Sequence, residues 1–161
     1  MKEDNISNYE VDRLVNFEDY AERMSDGELI NIVEKMENYD EVGTALSELS
    51  IREHKCASKL CNNIIENRLG DKYLQATAMS LLFSSDKDKA LELTKKYLDI
   101  FPSVVLGEIM DGLSMESNRK FGKLIEKETL KLINEKYHGL DNEEKKGIET
   151  NYEWFTKSYK I

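Results

Sequence analysis

Apolar residues along this chain recur at helical rather than strand spacing. Leu29, Ile30, Val33 and Met36 form one set, and Leu60, Ile64, Ile65 and Leu69 another, each lining one face of a helix. Strand-length alternation of apolar and polar positions is hard to find anywhere. A single proline, Pro102, and an abundance of Lys, Glu, Leu, Asn and Met agree with that pattern. The chain reads as all-α.

Capping chemistry predicts where the helices begin and end. Ser25-Asp26-Gly27-Glu28 is a capping box that opens a helix to about Asn38. Asp40 can cap the next helix, which runs to about His54, and another spans Lys55 to Arg68 and stops at Gly70. Asp71 starts a helix to Phe83, Ser84-Ser85-Asp86 one to Ile100, and Pro102-Ser103 one to Leu113. A long helix is expected over Ser117 to Tyr137, closed by Gly139, and Asp141-Asn142-Glu143-Glu144 opens the last. The expectation is a single helical domain over 1–161: an irregular segment 1–24, an array of helical pairs 25–137, and a C-terminal helix 141–160.

A weak internal similarity runs through the array. Thr44-Ala45-Leu46-Ser47-Glu48-Leu49 aligns with Thr77-Ala78-Met79-Ser80-Leu81-Leu82, 33 residues on, and more loosely with Glu108-Ile109-Met110-Asp111-Gly112-Leu113, 31 residues later. Helix pairs repeating at this period stack into solenoids, although hairpins without true repeats obey the same packing rules. On these segments and the breaks between pairs, the chain resembles HEAT-like helical repeat proteins from about Asp40 to Tyr137. The resemblance implies helical hairpins stacked as a short right-handed solenoid.

Charge changes the picture. Overall, 23 Lys and Arg face 32 Asp and Glu, a formal charge of −9. Residues 1–50 hold four basic and fourteen acidic side chains, a net of −10, whereas 51–161 hold 19 and 18, a net of +1. Such a balance argues against nucleic acid or an anionic membrane as a direct partner, since both demand a basic footprint. No apolar run approaches the ~20 residues of a membrane span, and Met1-Lys2-Glu3-Asp4-Asn5 lacks the basic start of a secretory signal. The expected location is cytoplasmic, with Cys56 and Cys61 as unbridged thiols.

Chemistry-bearing patterns are sparse. His54 lies two residues from Cys56 and seven from Cys61, but zinc ligands come at tighter, paired spacings, and positions 54 and 56 leave a helix on different sides. His138 precedes Gly139 at a helix end, where a cation suits the dipole. The chain has no Gly-x-Ser-x-Gly elbow and no glycine-rich phosphate loop, and the signature of a di-metal bundle, inward Glu residues with paired Glu-x-x-His motifs, is absent. An enzyme is not expected, and neither is a metal or cofactor.

Recognition of another protein is the remaining class. The helix from Asp26 turns Leu29, Ile30, Val33 and Met36 inward and Glu28, Asn31, Lys35 and Asn38 outward, with Glu34 and Glu37 on the flanks. Together with Asp40, Glu41 and Glu48 these acids form a block able to steer a cationic partner. Tyr39, inside that block, is a candidate aromatic anchor. In the last helix Ile148, Tyr152, Phe155 and Tyr159 make one inward stripe. Trp154 falls off the stripe, leaving it either as a second exposed anchor or packed on the preceding helix.

A small, acidic, helical protein of this kind also resembles the immunity proteins of bacterial toxin systems, including contact-dependent growth inhibition. That resemblance implies a non-enzymatic inhibitor that masks the active site of one cognate toxin, here a basic nuclease domain. A helical-repeat adaptor or regulatory scaffold, gripping a protein or peptide in an apolar groove, is the alternative.

Overall fold

The computed structural model describes residues 17–161, and among them every regular element is helical. The chain divides into two compact units, Met1–Leu60 and Cys61–Ile161. In the first, residues 17–21 are helical and are followed by α1 (Asp26–Lys35) and α2 (Tyr39–Ile51). The division falls within α3 (Ala57–Asn67). Beyond it come α4 (Lys72–Ser85), α5 (Lys87–Tyr97), a 3₁₀ turn (Leu98–Ile100), α6 (Ser103–Glu116), α7 (Lys120–Lys123), α8 (Lys127–Gly139), α9 (Asn142–Gly147) and α10 (Glu149–Tyr159). No helix among the described residues is long and apolar enough to cross a membrane.

Helix starts follow the expected chemistry with one exchange. The capping box forms at α1: Glu28 N–H donates to Ser25 Oγ at 3.3 Å, and Ser25 N–H donates to Glu28 Oε2 at 2.8 Å. Asp141 and Glu144 repeat it at α9. Asp71 receives the N–H groups of Tyr73 and Leu74, and Asp86 that of Lys89. For α2, however, the cap is Asn38 rather than Asp40: its Oδ1 accepts from Asp40 N at 3.1 Å and Glu41 N at 3.4 Å. Met36 turns left-handed at φ 53°, so α1 stops at Lys35, short of the expected Asn38, and leaves Asn38 extended to cap.

In the first unit α1 and α2 pack as a hairpin through Leu29, Val33, Val42, Ala45, Leu46 and Leu49, all buried. In the second, α6 is the hub, and α4, α7, α8, α9 and α10 all pack on it. A helix surrounded this way must be apolar around most of its girth. In α6 the residues Val105, Leu106, Ile109, Met110 and Leu113 are indeed wholly buried. Each such side chain contributes about 1.5–3 kcal/mol by leaving water. The inward stripe of α10 meets this core with Ile148 and Phe155, and Tyr159 Oη donates to Leu113 O at 2.8 Å. That bond satisfies a carbonyl in the last turn of α6, where helical partners have run out. Burial pushes the Tyr159 hydroxyl up to about 12.

The three similar segments lie in α2, α4 and α6, in every second helix. Their second, third and sixth positions are buried in all three: Ala45, Leu46 and Leu49; Ala78, Met79 and Leu82; Ile109, Met110 and Leu113.

Two expected helices are broken. The stretch from Ser117 to Tyr137 is two helices, α7 and α8, joined by Leu124-Ile125-Glu126. The chain folds back under the end of α6, and Gly122 sits so close to the Glu116 carbonyl that no Cβ would fit. Periodicity does not register this tertiary constraint. The C-terminal helix is likewise interrupted at Ile148, which leaves helical geometry at φ −129° and ψ 21° and buries its side chain against Gly107.

Candidate functional site

Residues 17–60 hold eleven acidic and five basic side chains, a net of −6. Several of the acids have internal work. Glu28 is exposed, but its carboxylate is turned back onto Ser25, whose hydroxyl and N–H hold it below the usual carboxylate range. Glu48 is bound to Arg52 Nε at 2.7 Å, and Asp26 to Arg52 Nη1 at 2.8 Å. Glu41 is half-buried and accepts from Asn38 Nδ2 at 3.3 Å. What stays exposed at the α1–α2 turn is Glu34, Glu37, Tyr39 and Asp40. None of these three carboxylates forms an ion pair among the described residues. The acidic block thus narrows to one turn.

Arg52 organises the edge of that unit. Besides its two carboxylates it donates from Nη1 to Met24 O at 2.8 Å, and from Nη2 to Ala21 O at 3.1 Å and Glu22 O at 3.0 Å. These carbonyls lie at and just beyond the end of the helix 17–21, and Ala21 O also accepts from Met24 N at 3.1 Å. The bonds from Asp26 and Glu48 raise the affinity of Arg52 for its proton.

The second unit carries a cleft of about 570 Å³ between α4, α6 and α10. Trp154 forms one wall and is 41% exposed, so it is not packed away beneath α8. Met115, 66% exposed, and the ring of Phe83 supply further apolar surface. Phe83 comes this close because its neighbour on α6 is Gly112, where a Cβ would overlap the ring.

The cleft has two chemically distinct ends. At one, Lys87 Nζ lies 2.9 Å from Glu116 Oε2 and Arg119 Nη1 lies 2.7 Å from Oε1. Glu116 is almost fully buried, yet the bond from Lys87, aided by Arg119, outweighs burial and holds its carboxyl below the ordinary range. At the other end stand Glu108 and Asp111, one turn apart on α6. Burial pushes both carboxyls up, partly offset by Ser80 on Glu108 and by Asn151 Nδ2, 2.8 Å from Asp111 Oδ2. Neither forms an ion pair among the described residues. A signal for this end was present in the sequence: the similar segments carry Thr44 and Ser47, then Thr77 and Ser80, at the positions where the third carries Glu108 and Asp111.

The other chemistry-bearing group is local. His54 Nδ1 lies 2.9 Å from Cys56 Sγ, and His54 Nε2 lies 3.7 Å from Asp26 Oδ2. Asp26 already serves Arg52, and burial pushes the Cys56 thiol up, away from the thiolate a nucleophile requires. Neither cysteine is in a disulfide, and no three metal-ligating side chains converge among the described residues.

With this geometry in hand, comparison with known proteins adds no relative: no protein-family model matches the chain, and neither a curated protein nor a solved structure is found to be similar to it.

Proposed function

We propose that this chain is a non-enzymatic inhibitor of the immunity-protein kind, binding a cognate basic toxin domain of the nuclease type and covering its active site with an acidic surface. The observation that carries this reading is the α1–α2 turn, where Glu34, Glu37 and Asp40 are exposed beside Tyr39 and form no ion pair among the described residues. A nuclease cleft is built to attract phosphates, and a compact carboxylate surface presents the same sign of charge. Tyr39 adds the rigid aromatic contact that holds a complex once charge has brought it together. We read the helix pairs as a short HEAT-like solenoid, a reading supported by matching burial at equivalent positions of α2, α4 and α6.

The test is rescue followed by kinetics. Cells expressing the toxin domain encoded beside this gene should grow only when this chain is co-expressed. Glu34→Lys with Glu37→Lys should slow association roughly tenfold or more at low salt, flatten its salt dependence and leave dissociation nearly unchanged. An association rate indifferent to both substitutions overturns the electrostatic mechanism. A second reading, a helical-repeat adaptor for a protein or peptide segment, is favoured by the cleft beside Trp154. In that case rescue fails and the α4–α6–α10 face carries the binding.

A further inference from the structure

We infer that the cleft between α4, α6 and α10 is a docking groove for an arginine- or lysine-bearing segment of a partner protein, with the cationic head between Glu108 and Asp111 and its aliphatic stem along Trp154 and Met115. The groove stands on its own geometry and does not depend on what the α1–α2 turn binds.

Charge complementarity identifies the occupant. Two carboxylates one turn apart line the inner end of a cavity of about 570 Å³, large enough for several side chains of a ligand. Neither has a cationic partner among the described residues, and the donors beside them are neutral, Asn151 on Asp111 and Ser80 near Glu108, so each retains acceptor capacity. The carboxyls bind protons more readily than free ones because burial withholds water from them, and a bound guanidinium or ammonium would relieve that deficit. The far end refuses a cation, since Lys87 and Arg119 there share the single carboxylate of Glu116. A basic residue entering the cleft is therefore directed to one end.

The walls favour a protein segment over a small polyamine. Tryptophan, methionine and arginine are residue types enriched at protein interfaces, and the exposed rim includes Trp154, Met115 and Arg119 beside Ser84 and Lys87. The exposed indole face can also attract a cation directly. Glu108 and Met115 are seven residues apart on α6, about 10 Å along its axis. That distance spans a few extended residues rather than one compact ion.

The chain supplies its own probe, because Trp154 is its only tryptophan. The full-length protein would be titrated with Ac-Leu-Arg-Leu-NH₂, with Ac-Leu-Glu-Leu-NH₂ and with spermidine, reading Trp154 emission. The arginine peptide should give a saturable change and the glutamate peptide none. Glu108→Gln with Asp111→Asn, which keeps size and hydrogen bonding, should weaken the arginine peptide roughly tenfold or more. Met115→Lys, at an exposed position that leaves the core untouched, should weaken it as well by placing a competing cation in the groove. Four results would overturn the inference: no response up to about 10 mM, a concentration reaching the weakest recognition; equal responses to both peptides; undiminished binding by both variants; or spermidine binding as tightly as the peptide, which makes the occupant a small polyamine.

Discussion

Gly112→Ala tests the packing that shapes the cleft. Two effects oppose one another at this position. Alanine in a helix interior is favoured over glycine by about 1 kcal/mol. Against that, a Cβ at Gly112 would lie 2.7 Å from Phe83 Cδ2 and 2.8 Å from Cδ1, inside any tolerable contact. The obstruction is the root of a ring held by α4, not the far end of a flexible chain, so α4 and α6 must separate. Overpacking of this kind costs about 1–3 kcal/mol, and this overlap belongs at the upper end. The net expectation is a loss of about 1–2 kcal/mol, or roughly 3–8 °C in Tm for a chain of this length. Gly139→Ala is the control within the same unit: it lies at the end of α8 with nothing within 4 Å of a new Cβ, and should gain about 0.4–1 kcal/mol. Urea denaturation followed by Trp154 emission and by circular dichroism reads both. Adding Phe83→Leu to Gly112→Ala should recover part of the loss, a coupling of at least about 0.5 kcal/mol. If Gly112→Ala matches Gly139→Ala in sign, the close approach of α4 and α6 at Gly112 does not constrain the protein in solution.

Four further outcomes follow from the same geometry. Phe155→Ala empties a fully buried site in the α6–α10 interface and should cost about 3–5 kcal/mol in urea denaturation. Lys87→Met leaves the buried Glu116 with Arg119 alone and should cost about 1–3 kcal/mol, whereas Arg119→Met, removing a largely exposed partner, should cost less than about 1 kcal/mol; thermal melts rank them. Glu108→Gln should raise Tm near neutral pH and lose that advantage on acidification. A carboxyl raised by burial penalises the fold only where it is ionised, and the penalty lifts as pH falls through its folded value; Glu116, held low, loses its stabilising contribution as pH falls through its own. Arg52→Met should speed hydrogen exchange of amides at residues 21–24 while leaving α6 amides unchanged.

Local signals in the sequence proved readable where the physics is local. Ser25 with Glu28, Asp141 with Glu144, Asp71 and Asp86 cap where side-chain chemistry says they should, and the α10 stripe faces inward. Asn38 displaced Asp40 as a cap because Met36 reversed its backbone, a choice that adjacent residues do not reveal. The breaks at residues 124–126 and at Ile148 go with close approaches of Gly122 to the Glu116 carbonyl and of Ile148 to Gly107. The candidate surface was legible as a surplus of charge but not as a shape. Only folding shows that Asp26 and Glu48 belong to Arg52, and that Glu28 serves Ser25. The cleft assembles Lys87, Glu108, Glu116 and Trp154 from three separate helices, and only the carboxylates that replace hydroxyls in the third segment hinted at it.

The clasp made by Arg52 has a consequence for how acid would dismantle the molecule. A guanidinium keeps its proton at any pH a protein meets, and backbone carbonyls do not titrate at all. The bonds from Arg52 to the carbonyls of Ala21, Glu22 and Met24 therefore contain no group that acid can titrate. The cleft has no such anchor: as pH falls, its Glu108–Asp111 end relaxes while its Lys87–Glu116–Arg119 end comes undone. Acidity thus acts on both ends of the groove through titrating carboxyls, whereas the carbonyl bonds of the clasp offer it nothing to protonate.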